Sequence, residues 1–405
     1  MPGAVLVLTS TYPRWKDDTE PRFVEFLSQQ LAASRKVVVL APHCEGAARH
    51  EVDRFGKYEI EIYRFRYAPT SFQSLAYDGG MLHRLRQNPV RIIWLALFML
   101  SQWYWIAKLH RRYGFSAVHA HWIIPQGIIA TCYRLFQRSA PRLLVTSHGG
   151  DLYALRGRIL LALKRWVLNR ADSITVVSQA MRDECARIGI DTSKVHVASM
   201  GVDLTTQFTP RNNASAPNSL VFVGRLVEKK GVEVLLRAMP AVLEQHPEAH
   251  LTIVGHGPER ERLEKLAEFE DIVESVRFLG GKKHDELPTL FRESGIAVMP
   301  SVVARTGDQE GLGLVAIEAM GCGCAVVSTD LPAIADSVQN KRTGLVARSG
   351  DASDLARCIN ELLASPDLRQ QLAEQGRSFA VERFDWPIVG QRYNDLLDRL
   401  ENTST

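Results

Sequence analysis

Only six of the 405 residues are cysteine (Cys44, Cys132, Cys185, Cys322, Cys324 and Cys358), and their spacing makes no CxxC pair. That removes the zinc-ribbon and dithiol redox classes and fits a reducing cytoplasm. Low-complexity tracts and short-period repeats are absent too, which excludes solenoids and extended disorder. With 46% hydrophobic and 23% charged residues, the composition is that of an ordinary globular protein. The apolar run at residues 4–8 follows no basic segment and precedes no small-residue cleavage site, so no secretory leader is expected. Zinc-finger and RRM signatures are missing, and no nucleic-acid partner is expected.

Long hydrophobic runs are scarce. The longest, IIWLALFMLSQWYWIA at residues 92–107, has 16 uncharged residues. As a helix it rises about 24 Å, short of the roughly 30 Å of a hydrocarbon core. It is rich in Trp and Tyr, which favour membrane interfaces. Burial in the core is the first expectation for it, and a membrane-facing helix the second.

Charge is unevenly placed. Residues 1–200 hold 27 Lys+Arg against 15 Asp+Glu, and the remainder hold 22 against 30, which gives +12 and −8 and the overall +4. The basic half predicts an anionic surface or partner. Within it, LRGRILLALKRWVLNR (155–170) has the apolar-and-basic mix of a helix on anionic lipid, or of a half-solvated helix with its apolar side in the core.

A chain of this length predicts two domains of about 200 residues each. Short β-branched runs alternate with helical patterns throughout: AVLVLTS, KVVVLAP, AVHAH, RLLVTSH and SITVVS, then SLVFVG, LTIVG, VRFLG, IAVMPS and CAVVST. This alternation predicts an α/β class of two doubly wound, Rossmann-like domains facing each other across a cleft at the carboxyl ends of their sheets. The expected divisions are an acceptor-side domain over 1–200, a polar linker over 201–218, a second domain over 219–385, and a C-terminal helix over 386–405 that packs back on the first domain.

Four motifs follow predicted strands. In DQEGLGLVAIEAMGCGCAVV (308–327), Glu318 has apolar or small helical neighbours, Leu314, Val315, Gly321 and Cys322. A carboxylate there needs a polar partner, which points to a ligand. Gly311 and Gly313 flank a helix start whose free amides suit an anion, with Glu310 at the loop's end. In VGRLVEKKG (223–231), Lys229 and Lys230 precede a helix N-terminus, where cations are unfavourable. With Arg225 they suit a phosphate, and a solvated turn is the plain alternative. VGHGPERER (254–262) is a lone GxG, with Arg260 where the full dinucleotide fingerprint has glycine. HAHW and SHGGD place His119, His121, His148 and Asp151 at strand ends. A metal hydrolase could use such a set, but no acidic cluster or cysteine completes either motif, so structural histidines are the simpler reading and no metal is expected.

Together these motifs resemble the retaining glycosyltransferases of family four, which have the GT-B fold. The EGLG stretch carries the E-x7-E spacing, and VGRLVEKKG, VRFLGGKKHDELP, GVD, HAHW and HGGD follow the family's order along nearly the whole chain. The resemblance implies a nucleotide-sugar donor, GDP-mannose or a UDP-hexose, with no cofactor. Its diphosphate would be held by Arg225 and Lys230, by the backbone of Gly311, Leu312, Gly313 and Leu314, and beside Gly224. Glu318 would bind the ribose hydroxyls, Glu310 the hexose, and His121 the sugar, with Glu310, His121, Arg225 and Lys230 as the catalytic set. His148 and Asp151 become acceptor-side candidates. By analogy the acceptor is a glycan or a polyprenyl-diphosphate-linked lipid in surface polysaccharide synthesis, with the protein cytoplasmic or peripheral on the inner face of the cytoplasmic membrane. One departure stands out: TYPRWKDDTEPRF (11–23) replaces the glycine pair usual after the first strand, and Asp17 and Asp18 read as an exposed loop. A nucleotide-sugar epimerase and a non-catalytic sugar-nucleotide binding protein are the alternatives on the same fold.

Overall fold

The computed structural model describes residues 2–15, 18, 20–73, 75–77, 81, 84–85, 88–153, 155, 157–210 and 216–402. The chain forms two compact units. The first is Met1–Val177, Met181–Gly201 and Val389–Thr405, and the second is Ser178–Ala180 and Val202–Ile388.

In the first unit the strands are β1 (Val5–Leu8), β2 (Val37–Pro42), β3 (His50–Phe55), β4 (Tyr58–Phe65), β5 (Ala117–His121), β6 (Arg142–Ser147), β7 (Ser173–Val176) and β8 (Val195–Val197). They lie in the order β3-β4-β2-β1-β5-β6-β7-β8. β1, β2 and β5 are buried throughout. Parallel strands covered by helices on both faces must read as continuous apolar runs, as VLVL and VVVLAP do. β3 alone is antiparallel, paired with β4 at the sheet edge. Its sequence, HEVDRF, is mostly exposed and charged, which protects an edge and hides it from a search for apolar runs.

The second unit holds β9 (Ala216–Val223), β10 (His250–Val254), β11 (Val276–Gly280), β12 (Ser294–Met299), β13 (Ala325–Thr329) and β14 (Leu345–Ala347), in the order β11-β10-β9-β12-β13-β14. All of its ladders are parallel. In both sheets the chain reverses its direction of growth at one strand pair, β1/β5 and β9/β12. Loops leaving the carboxyl ends of such a pair diverge and open a crevice, which is where open α/β sheets bind ligands.

Three expectations change. The 92–107 run belongs to the Ile92–Tyr113 helix, which buries only Phe98, Gln102, Ile106 and Leu109. Ile92, Ile93, Leu97, Leu100, Trp103 and Tyr104 are exposed, so the helix is not a core helix. The 201–218 stretch is no free linker over its first half. Val202 bridges to Asp385, the Leu204 amide donates to the Asp385 carboxylate, Phe208 is buried, and Arg377 donates to the carbonyls of Leu204 and Phe208. Residues 211–215 lie outside the described residues. In the 11–23 loop, the Asp18 side chain is 1% exposed and paired with Arg14 at 2.7 Å, and Asp17 lies outside the described residues. The Arg158–Arg170 helix turns Val167 and Leu168 inward, together with Lys164, whose ammonium donates to the carbonyls of Leu152 and Leu155.

The last helix, Trp386–Asn402, joins the first unit from Val389 onward. Arg35, fully buried, donates to Asp398, Glu401 and Asn394 on it, and the Tyr393 hydroxyl donates to the Ala198 carbonyl. Replacing a buried, multiply bonded guanidinium removes these bonds and leaves a hole. Arg35→Ala should therefore cost about 3 kcal/mol in denaturant unfolding and expose the last helix to proteolysis.

Candidate active site

The second unit's crevice is built by the loop after β9 and the loop after β12. The first ends in a single turn, Glu228–Lys230, and Gly231 at φ 66° starts the Val232–Gln245 helix. A Cβ on Gly231 would lie 1.8 Å from the Pro300 carbonyl oxygen, so only glycine lets the two loops touch. The Val302 amide donates to the Lys229 carbonyl at 2.9 Å and closes the junction. The GxG after β10 has the same kind of origin. Cβ atoms on Gly255 and Gly257 would fall 1.8 and 2.2 Å from the carbonyl oxygens of Gly224 and Leu226, so this motif supports the Arg225 loop from below.

The junction brings the cations onto Glu310, which is 9% exposed. Lys230 Nζ is 3.1 Å from its Oε2, and Lys229 Nζ is 3.9 Å from its Oε1 and 3.3 Å from Asp308. Burial would raise the Glu310 pKa, but the two ammonium groups outweigh it and hold the carboxyl below its ordinary value. Arg225 is exposed and makes no ion pair among the described residues. Gly311, Leu312 and Gly313 lead into the eight-residue helix Leu314–Gly321, with Gly313 at φ 81° as an N-cap without a side-chain cap. The Ser337 hydroxyl donates to the Leu312 carbonyl at 2.8 Å and holds this turn. Lys230, Glu310, Gly313 and Val315 line one hollow with Phe222 and Ser301. A Cβ on Gly224 would come 3.1 Å from the Phe222 ring and 3.6 Å from Lys230, so Gly224 lies alongside.

Glu318, 8% exposed, does not wait for a ligand to supply its partner. His284 Nε2 lies 3.1 Å from its Oε1, and Gln207 Nε2 sits 3.2 Å from His284 Nδ1. His284 belongs to VRFLGGKKHDELP, 34 residues before Glu318, and only the approach of the loop after β11 to the Leu314–Gly321 helix joins them.

In the first unit, His119 and His121 end β5 with ring centroids 4.2 Å apart. His148 stacks on His121 with planes 6° apart and shares a 3.0 Å hydrogen bond between its Nε2 and His121 Nδ1. Phe23, the last residue of the 11–23 loop, packs its ring 4.8 Å from His148. His121 Nε2 and His119 Nδ1 have no hydrogen-bond partner among the described residues. Trp122 follows at φ 75°, ψ 137°, a conformation that strains a bulky residue. Asp151 is braced: its carboxylate accepts from the Ile123 amide at 2.7 Å and the Ser147 hydroxyl at 2.7 Å. Burial raises its pKa, against the pull of those two donors and of Lys164. Among the described residues no group of three His, Cys, Asp or Glu is arranged to hold a metal ion.

Burial depresses all three imidazoles, His119 and His148 to about 3, with the neighbouring rings adding to the fall for His119 and His121. The unfolded chain would take up these protons near 6.5 and the folded one would not. Stability is therefore lost as pH falls from 6.5 toward 3. His148→Gln should flatten that loss by about 1.4 kcal/mol per pH unit, read from denaturant midpoints between about pH 6 and pH 4. Glu310 behaves as a depressed carboxylate. Its pairing stabilises above the ordinary value of 4.5 and is lost as pH falls below it. The deficit of Glu310→Gln, about 1–3 kcal/mol at neutral pH, should close on acidification through that range.

Two family models match the chain: Glycosyltransferase Family 4 over residues 21–206 and Glycosyl transferases group 1 over residues 205–379. A GDP-mannose-dependent alpha-(1-6)-phosphatidylinositol monomannoside mannosyltransferase of Mycolicibacterium smegmatis is 26% identical over 409 residues, 97% of this chain and 98% of that one. A glycogen synthase of Mycobacterium tuberculosis is 29% identical over 280 residues, 68% of this chain but only 66% of the relative's length. Among solved structures, a sucrose-phosphate synthase from Thermosynechococcus elongatus superposes with a TM-score of 0.80 at 23% identity, covering 99% of this chain and all of that one, a likeness of fold.

Proposed function

The chain belongs to the family 4 glycosyltransferases, with the GT-B fold, and on that premise we propose a retaining hexosyltransferase that carries mannose from GDP-mannose to a glycan or lipid-linked acceptor. A UDP-hexose is the second donor candidate. The observation that carries this reading is the buried Glu310, paired with Lys230 and Lys229 in front of the uncapped start of the Leu314–Gly321 helix. The choice of mannose rests on the mycobacterial mannosyltransferase that aligns along nearly the whole chain. Its lipid acceptor supports a polyprenyl-diphosphate-linked or similar acceptor here, in surface polysaccharide synthesis on the inner face of the cytoplasmic membrane.

As the bond to the anomeric carbon breaks, negative charge gathers on the leaving diphosphate. Lys230 and Arg225 supply fixed cations, and the free amides at Leu314 and Val315 supply aligned dipoles. These groups answer the charge without calling on a divalent ion. The donor diphosphate competes with Glu310 for Lys230, which frees the Glu310 carboxylate to hold hexose hydroxyls. Glu318 takes the ribose hydroxyls once His284 gives way. His121 contacts the sugar, and His148, which shares its proton, orients it on the acceptor side beside the braced Asp151. The diphosphate leaves and the acceptor attacks on the same face of the sugar, so the anomeric configuration is retained.

Calorimetric titration with GDP, UDP and ADP in chelator should give tight binding of GDP. Lys230→Ala and Glu318→Ala should each weaken it about tenfold. Glu310→Ala should cut transfer about a hundredfold with a smaller effect on nucleotide affinity. Unchanged affinity in both nucleotide-site variants, or wild-type turnover in Glu310→Ala, would sink the assignment. Conversion of the donor without an acceptor would instead identify an epimerase.

A further inference from the structure

The Ile92–Tyr113 helix enters and leaves the first unit through one sheet. β4 precedes it, β5 follows it, and β1 pairs with β2 on one side and β5 on the other. A helix whose flanking strands share a sheet cannot cross a bilayer without tearing that sheet. It lies along the unit instead, with Phe98, Gln102, Ile106 and Leu109 turned inward.

Its other face is apolar and open. Ile93, Leu97, Leu100 and Tyr104 fall at helical spacing along one line, flanked by Ile92 and Trp103, and their exposures run from 36% to 65%. From Ile92 to Tyr104 this stripe is about 18 Å long. It has no charged residue until Lys108, and Arg111 and Arg112 then end the helix. Tyr133 packs edge-on against Trp103, and the helix that carries it, Ile128–Leu135, ends beside the exposed Leu135 and Phe136. The charges on the helix itself are all basic: Lys108, Arg111 and Arg112, with Arg91 just before it. Between Asp78 and Asp151 the sequence holds nine Lys and Arg and no Asp or Glu.

We infer that this face is a membrane-docking surface whose occupant is an anionic bilayer, with the apolar stripe set into the headgroup boundary and the basic residues over the acidic headgroups. A strictly apolar partner would gain nothing from Arg91, Lys108, Arg111 and Arg112 at the two ends of the helix. A water-exposed helix would not be apolar around this arc. Trp103 and Tyr104, amphipathic rings at the edge of the stripe, suit the interfacial depth. The inference deepens the membrane location proposed above but does not use the donor site, so its test needs no nucleotide.

The full chain should cosediment with vesicles of phosphatidylglycerol and phosphatidylcholine at low salt, and far less with phosphatidylcholine alone. The bound fraction should fall as salt screens the headgroups. Leu97→Asp/Leu100→Asp, two exposed positions that leave the inner face intact, should lower vesicle binding about tenfold with unchanged thermal stability. Brominated lipid should quench wild-type tryptophan fluorescence. The inference fails if the wild type stays in the supernatant with anionic vesicles, or if neutral vesicles bind as tightly. It also fails if the double variant binds like wild type, or if the substitutions only dissolve a dimer seen by analytical ultracentrifugation. None of these failures would alter the calorimetric result for the donor.

Discussion

The pairing of Glu310 with Lys230 sets the terms for the second unit, because a carboxylate at 9% exposure must recover from neighbours what it loses from water. Two loops from different strands have to meet for that to happen. The contact depends on Gly231, where a side chain would strike the Pro300 carbonyl, and on the bond from the Val302 amide to Lys229. Gly255 and Gly257 let the next loop pass close beneath the one that carries Arg225. The result is a cluster of charges held in place before any ligand arrives, in a crevice that the sheet order opens between β9 and β12.

The first unit handles buried polarity in the opposite way. Its histidines are stacked on one another and under Phe23, and their strongest neighbours are rings and hydroxyls. Desolvation therefore wins and the imidazoles stay neutral. A neutral imidazole can both donate and accept, and the bond between His121 Nδ1 and His148 Nε2 requires one of the two nitrogens to carry a proton and the other to be bare. The same unit carries charge at its surface, where the Ile92–Tyr113 helix joins an open apolar stripe to Lys108, Arg111 and Arg112.

Much of the fold was legible because its signals are local. All ten apolar runs read as strands appear as strands, since a strand covered on both faces admits few polar residues. The β3–β4 hairpin escaped that reading because an edge strand such as HEVDRF is selected for charge. The Pro366–Phe384 helix escaped it as well, because its apolar positions form no clear stripe. Asp18 looked like a solvated loop residue, yet its arginine partner four residues away buries it.

The sequence by itself determined the class of structure, the family, and the residue types gathered after each strand, because apolar periodicity and motif order are written along the chain. Tertiary structure alone decided who meets whom. It gave Glu318 a histidine from 34 residues away, turned an apolar segment outward instead of into the core, and packed residues 202–209 into the second unit. Those outcomes depend on how loops and helices from distant parts of the chain pack, and no local pattern encodes that distance.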